Sequence, residues 1–507
     1  MSRERGLALL DGDVLFQLLE ELLRQKCLHL LSASCRSLRN AALPILFRYC
    51  EILLFRERVD VHRFPPSSLW PYFQHISLVD ECPDYDTERP PWDPADGEVF
   101  GPGFLTEAFP RMPRLNELSF SSPFPTIRNL PWTTIKALVT LPQLRRLNIK
   151  GPLLGVGACD RVLYDADLQS SRLSCLVYSP WDTRDPPRSH VCEQYALVAV
   201  LGALAGSLEK LDLPNESAPL HLIQAAHWHN LRQLRLRGEV QHPLAGVAEP
   251  YVALLGNMPR LRSLSLEVFF PLGSHISAIW PLGFDAVYPW PDLESLTLSH
   301  PQVDDQLYRH LPPTLRRLEL CCSPYHHHYV WGSMGPAHRE EWQDPLLTSS
   351  QMLRILRQCR TGELTELTMQ FFADSAEMEL FRFLPDAFPH LCSLTVHVYR
   401  SDCEHEEVPV KPIALALSPL TRLRTLRLHL GFRGVQGEFG YWGEKLDGVW
   451  SPDHDLLDRT VDSAAQILAN TLPSSLEVLD LYLPTEARPN EYQLEFEQGI
   501  LEVISCY

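Results

Sequence analysis

No stretch of about 18 uncharged apolar residues occurs anywhere in the 507-residue sequence, so no transmembrane helix is expected. Its 13 cysteines are odd in number, scattered, and contain no Cys-x-x-Cys pair. That pattern excludes a regular disulfide or zinc framework and reads as reduced thiols, mostly core. Positive charge is short: 45 Lys and Arg stand against 63 Asp and Glu, a net charge of −18. Such a surface repels phosphate, which argues against general nucleic-acid binding while leaving room for a local basic stripe. The spacings GxxxxGK[ST], HExxH, GxSxG and GxGxxG are missing, and Gly332-Ser333-Met334-Gly335 falls one residue short of a nucleophile elbow. No enzyme and no cofactor is therefore expected. The opening MSRERGLALLDGD is interrupted at Asp11 and Asp13 too early for a secretory core. An intracellular chain is the expectation, in cytoplasm or nucleus, and the sequon Asn215-Glu216-Ser217 then reads as chance.

What the sequence has in excess is leucine, 87 residues, and proline, 43. Hydrophobic residues at 45% and charged residues at 21% are globular values. Excess Leu with excess Pro fits a unit repeated and broken by turns better than one doubly wound sheet. The length allows several domains or one long array.

Two regions differ in pattern. Residues 8–58 read as two or three short amphipathic helices. Val14, Leu15, Leu18, Leu19, Leu22 and Leu23 form one apolar stripe at helical spacing, with Asp11 or Asp13 placed to cap it. A second stripe runs Leu28, Leu31, Cys35, Leu38, Ala42, and Pro44 is expected to end that helix.

Residues 70–483 carry a repeat: apolar, two variable, apolar, one variable, apolar. Strong copies begin at Leu144, Leu208, Leu231, Leu261, Leu293, Leu315, Leu423 and Leu476. Weaker ones begin at Phe73, Leu115, Leu173, Leu364 and Leu391, which makes thirteen, 22 to 53 residues apart. The alternating end of each copy predicts a short strand. One such strand cannot bury its face alone, so the copies must stack into a solenoid with a parallel sheet on one side. Return helices are expected at Ala196–Ala205, Ser350–Cys359 and Val461–Leu472. Residues 81–103, 322–347 and 431–455 read as loop insertions, and 484–507 as a C-terminal cap or tail.

The second region resembles a leucine-rich-repeat domain over about four fifths of the chain. It departs from that family in lacking the asparagine after the third apolar position, where Glu216, Glu239, Pro301 and Ser323 stand. No asparagine ladder is expected to hold the turns. The first region resembles a divergent F-box of the fungal type. Leu10-Asp11-Gly12-Asp13-Val14-Leu15 matches the family's opening with Asp11 in place of Pro, and Ser34-Cys35-Arg36-Ser37-Leu38-Arg39 matches its later segment. Ala42-Leu43-Pro44-Ile45-Leu46-Phe47-Arg48 resembles the stretch that often follows, and Lys26-Cys27 replaces the usual acid before the second helix. The expected fold is thus α/β: a short helical unit followed by an irregular repeat solenoid.

The combined resemblance implies a non-catalytic, substrate-recognition subunit of an SCF-type (Skp–cullin–F-box) ubiquitin ligase. Leu10, Val14, Leu15, Leu18, Leu28, Leu31, Cys35 and Leu38 would contact the Skp adaptor, and through it cullin. The repeats would hold a target protein that the sequence does not identify. The competing reading makes the helices a cap on a repeat scaffold that recruits no ligase. On the sheet, residues flanking the second apolar position should point outward. Among these Arg146, Lys150, Arg235 and Arg237 are candidate contacts for an acidic or phosphorylated segment, against the plainer reading of a solvated face. Lys210 and Asp212 share that face. His326-His327-His328 lacks zinc spacing and Asp402–Glu407 reads as a solvated acidic loop.

Overall fold

The computed structural model describes residues 12–54, 64–80, 107–121, 129–151, 153–156, 166–180, 191–240, 249–270, 278–285, 287–321, 346–400, 408–431, 454–483, 490–497 and 500–505. Leu10, His326-His327-His328, Gly332–Gly335, Asp402–Glu407 and most of the three expected insertions lie outside these residues. The chain forms two compact units, Met1–Leu231 and Arg232–Tyr507.

The first unit opens with three helices: α1 (Gly12–Arg24), α2 (Leu28–Ser34) and α3 (Arg36–Leu46). Leu19, Leu28, Ala42 and Ile45 form their shared core, with Leu15, Leu22, Leu23, Leu31 and Leu46 packed around it. Lys26 terminates α1. It adopts φ 57°, and the amides of Lys26 and Cys27 donate to the carbonyls of Leu23 and Leu22. This is a left-handed cap that usually calls for glycine. The single second stripe expected from Leu28 to Ala42 is divided. Cys35 is extended (φ −156°, ψ 161°), ends α2, and caps α3 by accepting the Leu38 amide at its sulfur. Pro44 does not end the helix either. It sits in the last turn of α3, which runs on to Leu46, because the Phe47 and Arg48 amides still find the Leu43 and Ile45 carbonyls.

Strands then follow. In the first unit they are β1 (Tyr49–Leu54), β2 (His75–Asp80), β3 (Glu117–Ser121), β4 (Asn129–Pro131), β5 (Arg146–Gly151), β6 (Leu153–Val156), β7 (Cys175–Pro180) and β8 (Lys210–Pro214). The ladder β1-β2-β3-β5-β7-β8 is parallel throughout, and β4 pairs with β6 beside it. Its register stacks the second apolar position of each copy: Ile76, Leu118, Leu147, Leu176, Leu211. β1 was not among the thirteen copies. Cys50 pairs with Ile76 and Ile52 with Leu78, so Phe47-x-x-Cys50-x-Ile52 is a fourteenth, hidden by the cysteine. The ladder therefore starts inside the region 8–58 assigned to the helical domain.

The second unit has β9 (Gln233–Glu239), β10 (Ser263–Phe269), β11 (Ser295–Leu298), β12 (Arg317–Leu320), β13 (Leu347–Thr348), β14 (Glu366–Phe372), β15 (Ser393–Tyr399), β16 (Thr425–His429) and β17 (Val478–Leu483). These strands are all parallel. Leu234, Leu264, Leu296, Leu318, Leu367, Leu394, Leu426 and Leu479 stand in one row. β12 pairs directly with β14, so 45 residues of intervening chain leave the register intact (Leu320 to Glu366). Within the expected tail, β18 (Asn490–Glu497) pairs antiparallel with β17, and β19 (Ile500–Ser505) pairs antiparallel with β18.

All three apolar positions of the thirteen copies are buried, each worth about 2 kcal/mol for a leucine. Behind the sheet of the second unit, the helix Glu377–Ala387 packs between Ser349–Leu356 and Val410–Leu417, which in turn packs on His454–Thr471. Ser349–Leu356 starts with a reciprocal cap between Thr348 and Gln351. The expected helices at Ala196–Ala205, Ser350–Cys359 and Val461–Leu472 correspond to Val191–Leu204, Ser349–Leu356 and His454–Thr471. Each unit is thus a run of leucine-rich repeats.

In place of an asparagine ladder, the backbone makes a recurring hook. Within each ladder, the carbonyl of the residue before a repeat strand accepts two consecutive amides from the next copy. Arg48 takes Gln74 and His75, Gln74 takes Asn116 and Glu117, and the series continues through Asn116, Arg145 and Ser174. In the second unit Arg232, Arg262, Glu294, Arg316, Thr365, Cys392 and Arg424 do the same. Gly431, after β16, has φ +61°, and a Cβ there would stand 3.0 Å from the Val398 carbonyl oxygen.

Candidate interaction surfaces

The residues expected to meet an adaptor fall into three groups. Val14 is 50% exposed on α1. Leu15, Leu18 and Leu31 are half-buried, with Leu15 and Leu31 resting on the helical core. Leu28 and Leu38 lie inside, and Cys35, exposed, caps α3. Two apolar residues not in the expected set are also presented: Phe16, 49% exposed, and Leu30, 64% exposed. Both lie off the buried stripes, and an apolar side chain off-stripe was the available signal. Arg48 lies 5.9 Å over the Phe16 ring and also pairs with Glu20, which fixes α1 against the chain leading into β1.

On the first unit's sheet, the outward positions form rows across the strands. One row reads Tyr49, His75, Glu117, Arg146, Cys175, Lys210. Tyr49 stacks on His75 at 4.4 Å. Glu117 receives His75 at 2.9 Å, Arg146 at 3.4 Å and Asn148 at 3.1 Å. Lys150 stands four residues further along β5, exposed, flanked in register by Ser121 on β3 and Ser179 on β7.

In the second unit, Arg235 and Arg237 sit on β9 at the expected outward positions. Their charge is not simply available. Arg235 pairs with Glu267 on β10, which also accepts the Ser265 hydroxyl. Burial works against ionisation of Glu267, yet the bonds from Arg235 and Ser265 and the charges of Arg235 and Arg237 prevail and lower it. Burial and the charge of Glu267 raise Glu319 on β12. Arg317 with Glu366 at 2.6 Å and Arg427 with Asp480 at 2.9 Å continue the pairing. This face alternates in charge rather than forming a basic patch. The four expected arginines and lysines fall into two pairs, one in each unit.

A further apolar feature belongs to residues 278–290 of the second unit, where Leu282 is 80% and Val287 is 90% exposed. The segment is held by Asp305, itself buried, whose carboxylate accepts the amides of Ile279 (2.6 Å), Trp280 (3.0 Å) and Leu307 (2.9 Å). Trp280 stacks on His310 at 4.4 Å.

Asn215 and Ser217 of the sequon are fully buried. Among the described residues no group of three His, Cys, Asp or Glu is placed to hold a metal ion. No helix among them is long and apolar enough to cross a membrane.

No protein-family model matches the chain, and no curated protein matches it. Among solved structures it is similar to the chain in the crystal structure of a TLR13–ssRNA13 complex, at 15% identity and a TM-score of 0.30. That alignment covers 77% of this chain and 55% of the other, so this chain spans just over half its length.

Proposed function

We propose that the chain is a non-catalytic adaptor, the target-holding subunit of an SCF-type ubiquitin ligase, with α1–α3 docking on a Skp adaptor and the repeats holding the target. One observation carries this reading. The three helices close their own core with Leu19, Leu28, Ala42 and Ile45, yet leave Val14, Phe16 and Leu30 facing solvent. A helix pair that only capped a repeat array would present a polar outer face. Ubiquitin transfer would belong to other subunits, and this chain would contribute position, raising the local concentration of target lysines.

A second reading has its own support. α3 leads within three residues into β1, and the Arg48 carbonyl makes the first hook of the ladder. The helices would then be an end cap on a protein-interaction scaffold. Co-expression with a Skp adaptor decides between them. The control is Val14→Lys with Leu30→Lys, which adds charge at exposed positions without entering the core. Co-purification that the double variant abolishes, with its circular dichroism unchanged, supports the ligase subunit. A folded wild-type chain that never co-purifies refutes it and leaves the scaffold.

A further inference from the structure

The first unit's sheet face carries three cations in an uneven electrostatic setting. Arg146 and Lys210 occupy the same row, two strands apart across Cys175, so their Cα atoms are about 10 Å apart at ordinary strand spacing. Lys150 lies four residues along β5 from Arg146, about 13 Å at strand rise. All three are exposed. Arg146 shares Glu117 with His75 and Asn148, and among the described residues neither lysine has an ion-pair or hydrogen-bond partner.

The positions these three enclose are uncharged: Asn148, Cys175, Val177 and Ser179. The two acids that act on Cys175, between the cations, are engaged or covered. Glu117 is held by three side chains, and Asp212 is 4% exposed with interactions of its own. Burial raises the Cys175 thiol; Lys210 and Arg146 both pull it down, while Glu117 and Asp212 push it up. The net charge of the chain is −18, so this patch runs against the whole.

We propose that Arg146, Lys150 and Lys210 form a docking surface for an extended acidic peptide whose carboxylates are spaced about four residues apart. The inference rests on the reading of the repeats as the target-holding part and is independent of adaptor binding. The spacing is what selects the ligand. A strand-like peptide laid along β5 and β7 places side chains i and i+4 about 13 Å apart, the separation from Arg146 to Lys150. A single phosphate would instead need its donors gathered on one point. The hydroxyls of Ser121 and Ser179, level with Lys150, add neutral donors beside the second carboxylate.

The test is fluorescence anisotropy on the full chain with a labelled peptide of about twelve residues, Ser and Gly with glutamates four apart. Matched peptides carry glutamine or phosphoserine at the same positions. The expected result is saturable binding of the glutamate peptide that weakens as salt is added. Lys150→Glu with Lys210→Glu should lower its affinity about ten-fold or more. Lys411→Glu with Arg422→Glu, an equal charge change at exposed sites of the second unit, should leave it unchanged. Both reversal variants should keep their fold, because the altered side chains are exposed, and circular dichroism checks this. No saturable binding, equal loss in both reversal variants, or binding of the phosphoserine peptide alone would each overturn the proposal. Co-purification of the Lys150/Lys210 variant with the Skp adaptor is scored in parallel, so a failed peptide site and a failed ligase reading are told apart.

Discussion

Asp305 offers the sharpest test of how the second unit holds its exposed apolar segment. Its carboxylate accepts three amides, two from the segment at Ile279 and Trp280 and one from the helix Leu307–His310. Asp305→Asn keeps an oxygen for Trp280 and Leu307 but turns an NH2 group toward the Ile279 amide. Donor then faces donor, and an unsatisfied amide costs about 1–3 kcal/mol. Asp305→Ala strands all three amides. Ile279 is half-buried and partly recovers water, and a buried carboxylate is no longer there to desolvate, so about 2–5 kcal/mol is expected. Amide hydrogen exchange reads this directly, since about 1.4 kcal/mol of local opening is a ten-fold change. The Asn variant should speed exchange at Ile279 above all, and the Ala variant at Ile279, Trp280 and Leu307 together. Burial raises the Asp305 pKa against the three backbone bonds that lower it. A raised acid holds its proton more readily folded than unfolded, so its contribution is largest below the usual aspartate range and shrinks as pH rises through the raised value. The Asn variant should lose that slope. Unchanged exchange at all three amides in a folded Asp305→Ala chain would refute the reasoning.

Three other expectations follow from local structure. Gly431→Ala places a Cβ at 3.0 Å from the Val398 oxygen in a left-handed residue, so urea unfolding should show a loss of about 1–2 kcal/mol or more; an unchanged midpoint would contradict it. Exposed Cys27 and Cys35 should be alkylated by iodoacetamide well before buried Cys321 and Cys359, which stay protected until the chain unfolds, as read by peptide mass mapping. Burial pushes the Cys50 thiol up to about 11 and the Cys359 thiol up to about 12. Both stay protonated when folded, so they favour folding below pH about 8.5 and lose that contribution as pH climbs toward those values. Denaturation midpoints that rise across this alkaline range would go against the assignment.

The repeat was legible because its signal is long-range and redundant. Thirteen copies of one spacing each needed a buried strand, and Leu264 or Leu394 could be placed without knowing the turns between. β1 escaped because Cys50 and Phe47 weaken a single copy at the edge. The helical unit was less legible. Periodicity alone cannot see that Cys35 adopts an extended backbone, so a single apolar stripe runs across the point where two helices meet. Periodicity also cannot divide apolar residues that fill a small core, such as Leu28 and Leu38, from those left outside, such as Val14 and Leu30. That division depends on helix packing angles. The outward face was legible by position but not by charge. Arg235 stands where the alternation puts it, while its neutralisation by Glu267, 32 residues further along the chain, depends on the register between neighbouring copies. The support that Asp305 gives to Ile279 and Trp280 spans 25 to 26 residues and leaves no local mark.

The backbone hook has a bearing on how this sequence can change. Because the link between neighbouring copies is made by main-chain atoms, the residues supplying it are free in side chain: arginine, glutamine, asparagine, serine, glutamate, threonine and cysteine all serve. The chain can drift far from any relative's sequence at these sites, and can lengthen the stretch between copies, without loosening the seam. Only one residue type is shut out. Each step needs two consecutive amide hydrogens, and proline has none. The sequence spends 43 prolines, many within a few residues of a strand, and places none at a hook donor. Drift among homologues should therefore be broad in chemistry at the hook donors and silent in one letter.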